Sequence, residues 1–196
     1  EETKAITTAS PMHDIGKIGI PDKILQKTDK LTDSEFDVIK QHTLIGAEIL
    51  GSSKAPIIGL AREIALAHHE KWNGQGYPKG IAGDNIPLPA RIVALVDCFD
   101  ALTSARPYKN PYPLEMAYNI IVSEEGKSFD PCLVRLFMEN FGEFKQIAID
   151  HFEINPDELP FQLSSRDRDG SQDSTHCETE EVTIPKFADY KNIKST

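Results

Sequence analysis

Up to about residue 150, apolar residues recur every three or four positions, the period of a helix face rather than of a strand. Residues 4–14 read as the end of a helix that closes at Gly16 and Gly19, ahead of Pro21. A short helix is predicted from Pro21 through Leu25. Thr32 and Glu35 have the spacing of a capping box, and Phe36, Ile39, Ile45 and Ile49 follow at helical spacing. Pro56 opens the next helix, whose apolar positions Ile57, Leu60, Ile64 and Ala67 run up to His68 and His69. Trp72 to Pro87 is rich in Gly, Pro and Asn and reads as a loop. Pro89 to Ala105 predicts a helix buried over most of its circumference, through Ile92, Val93, Leu95, Val96, Phe99 and Leu102. Two further helices are predicted near 113–125 and 130–148, and no stretch alternates long enough to make a strand. The pattern is that of an all-α bundle.

Beyond about His151 the apolar period stops. FQLSSRDRDGSQDSTHCETEE has few apolar anchors, so the domain is expected over residues 1–152, with a flexible, acidic and polar tail over 153–196. Charge narrows the partners. With 21 Lys+Arg against 31 Asp+Glu the chain carries a net −10, which argues against broad binding to DNA, RNA or an anionic membrane. A small anionic substrate stays open, because bound divalent cations reverse the local field. Cys98, Cys132 and Cys177 show no CxxC spacing, so a disulfide framework is not expected and a reducing cytoplasm fits best. No apolar run approaches the roughly 18 residues of a membrane span. The opening EETKAITTAS lacks the basic and apolar regions of a signal peptide, and a start at Glu1 reads as a piece of something longer.

Four segments carry metal-ligand side chains: His13-Asp14, His42, His68-His69 and Asp97. Taken singly, each has a plainer reading. A His-Asp dipeptide is commonly an ion pair, and His42, three residues from both Ile39 and Ile45, can be a core histidine bonded to a carbonyl. His68 and His69 are about 100° apart on a helix, so one buried and one solvent-facing histidine is the simpler expectation. Asp97 and Asp100 share a face of an apolar helix, where two carboxylates need a cation, an Arg or a shared proton. Together the four segments fit a metal site in a bundle core, with mixed imidazole and carboxylate donors suited to Fe, Mn, Zn or Co.

HDIGKIGIPDKIL, KQHTLIGAEIL, HHEKWNGQGYPKGI and IPLPARIVALVDCFDALTSARPYK resemble, in order and spacing, the HD-GYP family, a branch of the HD superfamily of metal-dependent phosphohydrolases. The likeness covers about residues 8–138, and ASPMHDIGK is similar to members that follow a receiver domain in bacterial response regulators. The resemblance implies an all-α domain that hydrolyses cyclic di-GMP to pGpG, often on to GMP, using two or three divalent ions such as Fe, Mn or Zn. It implies metal ligands at His13, Asp14, His42, His68, His69 and Asp97, with Asp14 and Asp97 bridging or sharing metals. Asp14, Lys17 and His69 become the catalytic group, with Lys17 beside the scissile phosphate. Gly76, Tyr77 and Pro78 line the substrate cleft, with the tyrosine near a guanine base. Arg106 and Lys109 contact the nucleotide, and Asp100 supports them. Implied partners are an upstream receiver or sensor domain and diguanylate cyclases carrying a GGDEF motif.

Elementary chemistry agrees with these roles. Cations a few ångströms apart lower the pKa of a bridging water, whose hydroxide attacks phosphorus while Lys17 neutralises phosphoryl oxygens. Glycines 74, 76 and 80 let the loop backbone approach a ligand, Pro78 holds Tyr77 extended, and Trp72 joins Tyr77 in a binding role. One family feature is expected outside the chain: an upstream helix supplying a further His or Glu ligand, for which Glu1 and Glu2 lie too close to His13. Two alternatives stand beside this reading. One is the same chemistry on another cyclic dinucleotide such as cyclic GMP-AMP. The other is a silent domain that binds nucleotide or protein.

Overall fold

Pro11 has no amide proton to donate, and the first helix ends just before it. In the computed structural model, which describes residues 1–51, 53–104 and 111–152, α1 spans Glu2–Ala9 and gives way to a 3-10 turn at Ser10–Met12. The His13-Asp14 pair therefore lies beyond the helix, between that turn and a second one at Ile15–Gly19. After α2 (Asp22–Leu25), α3 (Asp33–Lys40) starts on the expected capping box, Thr32 accepting from the Glu35 amide and Glu35 from the Thr32 amide. The expected run from Phe36 to Ile49 is two helices. It breaks at Gln41, α4 spans His42–Leu50, and Ile49 is 49% exposed, off the buried face that Ile39 occupies.

α5 (Pro56–Ala67) and α6 (Leu88–Thr103) follow, then α7 (Leu114–Ser123), α8 (Pro131–Glu139) and α9 (Phe141–Phe152). The single helix expected near 130–148 is thus α8 and α9, separated at Asn140. Asp130 caps α8 by accepting the Cys132 amide at 2.8 Å. The expected tail, 153–196, lies outside the described residues.

Packing is centred on α5, which contacts α1, α4 and α6, while α7 and α8 pack on α6. One apolar cluster joins Ala9, Leu50, Ile64 and Val93, and a second joins Leu95, Phe99 and Leu102 to α7 and α8. α6 is therefore shared by both clusters. It is not buried all round, since Val96 is 45% exposed, and Asp97 beside it is half-buried. The turn at Ile15–Gly19 meets α4 backbone to backbone. A Cβ on Gly16 would strike the His42 carbonyl oxygen and the Gly46 amide, so only glycine allows this approach. That contact sets the His13-Asp14 segment against the first residue of α4. Among the described residues the fold is helical, with an isolated bridge between Glu125 and Phe129 and no strand. No described helix is long and apolar enough to cross a membrane.

Candidate metal centre

The histidines are fixed from behind. His13 Nδ1 lies 2.8 Å from the Ser10 carbonyl, His42 Nδ1 2.7 Å from Ile39, and His68 Nδ1 3.1 Å from both Ile64 and Ala65. A carbonyl only accepts, so each Nδ1 carries a proton, and in a neutral ring Nε2 is left as a bare lone pair. The Nε2 atoms of His42 and His68 then face each other at 3.4 Å, with Asp14 Oδ1 3.3 Å from the first and 3.8 Å from the second. Neutral rings have no proton to offer across this gap. Asp14 Oδ1 is buried with no hydrogen-bond partner.

His68 and His69, at the C-terminal end of α5, both belong to this group. His68 is the C-cap of α5, still with helical backbone angles and its amide bonded to the Ile64 carbonyl, and His69 follows in the turn, with ring centroids 4.0 Å apart. One ligand atom from each of Asp14, His42, His68 and His69 lies within 4.8 Å of the others. The second oxygen of Asp14 faces another set. Oδ2 is 3.1 Å from His13 Nε2 and accepts from Lys17 Nζ at 2.6 Å, while His13 Nε2 is 3.6 Å from Asp97 Oδ1. The contact between His13 and Asp14 is close but poorly aligned, and His13 Nε2, too, is buried without a hydrogen-bond partner. Asp14 thus stands between two donor sets, one oxygen to each.

Electrostatics favour a cation here. Burial lowers the His42 imidazole to about 4, and burial with its histidine neighbours holds His69 well below the usual 6.5. Both stay neutral, with lone pairs available. Burial opposes charge on His13 too, yet the Asp14 and Asp97 carboxylates beside it outweigh that and lift the ring to about 10, so in metal-free protein His13 carries both ring protons. Burial likewise opposes ionisation of Asp14, but His13, His68 and Lys17 hold it far below the usual carboxylate range. Ligand atoms about 2.1 Å from one ion are separated by about 3.0–3.4 Å, the spacing seen between His42 and His68. The residues present fit a divalent metal.

The Gly76-Tyr77-Pro78 loop is fastened to the histidine turn. The Tyr77 amide donates to the His69 carbonyl at 3.1 Å, and a Cβ on Gly76 would strike the backbone of Glu70 and Lys71. The peptide bond between Tyr77 and Pro78 is cis. The Tyr77 ring lies 4.8 Å from His69 and 6.2 Å from Phe36, with Lys40 Nζ 6.0 Å from its centroid. Burial, reinforced by Asp14 and Asp97, pushes its hydroxyl pKa up, so it remains a phenol.

Other expected residues fall elsewhere. Trp72 meets Arg91, whose guanidinium sits 5.5 Å over its ring, and its backbone bonds to Ser128 and Gly83. Its role there is to join loop segments. Asp100 is exposed on α6. Arg106 and Lys109 lie outside the described residues. Sequence reasoning passed over Glu70, which is 4% exposed and accepts the Lys79 amide at 2.7 Å. A carboxylate directly after two histidines was the available signal.

A family model for the HD domain matches residues 1–133. The chain belongs to the HD-domain family. Among curated proteins, a cyclic di-GMP phosphodiesterase of Thermotoga maritima is 54% identical over 134 residues, 68% of this chain and 36% of the relative. A cyclic di-GMP phosphodiesterase response regulator, RpfG, of Xanthomonas campestris is 46% identical over 148 residues, 76% of this chain and 39% of the relative. A 3'3'-cGAMP-specific phosphodiesterase of Vibrio cholerae is 45% identical over 143 residues, 73% of this chain and 27% of the relative. The chain thus spans between 27% and 39% of the length of these relatives. These likenesses agree with the HD-GYP resemblance carried by the HD pair and the GYP loop.

Proposed function

We propose that this HD domain is the catalytic portion of a cytoplasmic, metal-dependent phosphodiesterase that hydrolyses cyclic di-GMP to pGpG, and onward to GMP. The observation that carries the metal chemistry is the pair of Nε2 atoms facing each other at 3.4 Å beside the partnerless Asp14 oxygen. The substrate is supported by the relatives, two of which bear that activity in their names.

His42, His68 and His69 would hold one divalent ion and His13 with Asp97 a second, Asp14 offering an oxygen to each. Fe or Mn suits this imidazole and carboxylate mixture, as does Zn. When bound, such ions supply a Lewis acid for phosphoryl oxygens and water activation at neutral pH. The chain's own groups do the rest. Lys17, one turn from the HD pair, brings a positive charge to the phosphate beside Asp14. Tyr77 presents a ring to a guanine base, with Gly76 and Pro78 setting its backbone. Asp100, Arg106 and Lys109 remain proposed nucleotide contacts. An upstream receiver domain is the proposed regulator, in keeping with the response-regulator name of one relative, and GGDEF-type cyclases are proposed protein partners.

A relative specific for 3'3'-cGAMP gives one competing substrate. The test is incubation of the chain, loaded anaerobically with Fe(II) or Mn(II), with each dinucleotide, followed by chromatography. Faster loss of cyclic di-GMP, yielding pGpG or GMP, is expected. Preferential loss of 3'3'-cGAMP would overturn the substrate. A metal-loaded chain that binds nucleotide without turnover would make it a binding module.

A further inference from the structure

Glu70 is almost wholly buried, yet it belongs to neither donor set of the metal centre. One oxygen, Oε1, accepts the Lys79 amide at 2.7 Å. The other, Oε2, is buried with no partner, an unfavourable state for a polar group and more so for a charged one. On α6, Arg91 presents the complementary orphan. Its NH1 donates to Asp130 at 2.6 Å and to Asp84 at 3.0 Å, while its Nε is buried with no partner. Glu70 and Arg91 line the same narrow cavity, together with Trp72, Ile86, Ser128 and Asp130. The cavity has room for about one water molecule, and it offers an acceptor and a donor that do not reach each other.

We infer that Glu70 is a positioning residue of the substrate cleft: one carboxylate oxygen holds the Gly76–Lys79 loop on the histidine turn, and the other anchors that turn to α6 through a buried water shared with Arg91. The arrangement joins three parts of the site. Glu70 directly follows His69, and because His68 keeps its own anchors on the Ile64 and Ala65 carbonyls, Glu70 acts on the loop rather than on metal uptake. The Tyr77 amide already bonds to His69 and the Lys79 amide to Glu70, so the loop is clamped on both sides of the tyrosine. Arg91 stands on the helix that carries Asp97, and through Asp130 it reaches the cap of α8. Glu70 touches no substrate in this scheme; it sets where Tyr77 stands.

The kinetic half of the test rests on the phosphodiesterase reading, and amide exchange of the metal-loaded chain does not. Glu70→Gln keeps an acceptor for the Lys79 amide and a polar group toward the water, whereas Glu70→Ala removes both. In Glu70→Ala the Lys79 amide is expected to exchange about 10- to 100-fold faster, with wild-type exchange in Glu70→Gln. The KM for cyclic di-GMP should rise about tenfold in Glu70→Ala, with kcat within about threefold and metal content unchanged. Should Glu70→Ala fail to fold, Glu70→Asp, which withdraws the carboxylate by one methylene, is expected to show the same faster exchange. A crystal structure should show the water between Glu70 and Arg91. Unchanged exchange in Glu70→Ala, a Glu70→Gln variant as impaired as Glu70→Ala, metal lost in step with activity, or a dry cavity would overturn the inference. A wild-type chain without turnover, whose exchange still responds to Glu70, would sink the phosphodiesterase reading and leave the clamp standing.

Discussion

At His42 and His68 the atom that decides the chemistry is the one pointing away from the site. Each Nδ1 is committed to a backbone carbonyl, so the fold sets the tautomer and leaves Nε2 as the atom available to a metal. Asp14 serves both donor sets, so changing its charge without its shape is the most discriminating residue-scale experiment. Asp14→Asn is expected to lower turnover by about a thousandfold or more and to strip metal, while the helical content stays that of wild type. Metal content measured beside turnover checks it; normal metal with normal rate would remove Asp14 from the site. In metal-free protein the histidines also set a pH optimum for stability. His42 at about 4 and His69 well below 6.5 are protonated more readily in the unfolded chain, so stability falls as pH drops from about 6.5 toward 4. His13, lifted to about 10, acts oppositely: its contribution is complete below 6.5 and is lost as pH rises through 10. Chelated protein should therefore melt highest near neutrality, and His13→Gln should flatten the alkaline decline. An unchanged alkaline limb in thermal melts would contradict the ion-pairing of His13. The gathering of Asp14, His42, His68 and His69 was legible in the sequence as a candidate site, because imidazole and carboxylate recurred in four segments. Glu70 and the Arg91 pairing with Trp72 were not, since both depend on which loops meet.

The elements place these residues through close backbone contacts that no hydrophobic period records. Helical spacing located α5 and α6 to within a few residues and the Thr32–Glu35 cap at its position, because these are local interactions. It missed the breaks at Gln41 and Asn140, where the apolar period runs on although the backbone turns. It also kept His68 and His69 on a helix. They stand at the C-terminal end of α5, and the loop that follows is pinned onto that end. The contact of Gly16 with α4 is the sharpest case. Gly16→Ala should cost about 3 kcal/mol or more, because the added methyl meets backbone atoms of His42 and Gly46 that cannot yield. Gly59→Ala, on an exposed turn of α5 with open space around it, should instead stabilise by about 0.5–1 kcal/mol. Urea unfolding of both variants distinguishes a packing glycine from a merely flexible one; equal effects would mean the turn and α4 do not touch. In the loop, Tyr77→Ala should raise KM by about 10- to 100-fold with metal content unchanged, the loss expected of one base-stacking ring. Metal lost with the ring would mean that Tyr77 supports His69 rather than substrate.

For the molecule as a whole, two apolar clusters both take residues from α6, and the candidate site gathers donors from the segment after α1, from α4, from the end of α5 and from α6. Net charge of −10 would repel a dianionic dinucleotide, so a positively charged metal centre is what makes such a substrate compatible with this chain. The bundle was readable from composition and period. The meeting point was not, because it depends on helices far apart in sequence. The most direct measurement is a metal titration of the chelated chain against cyclic di-GMP hydrolysis, with metal content and melting temperature followed at each step. Turnover should be absent without metal, rise with Mn(II) or Fe(II), and saturate as melting temperature reaches its plateau. Hydrolysis by fully chelated protein, or metal uptake that changes neither turnover nor melting, would contradict a metal-dependent phosphodiesterase.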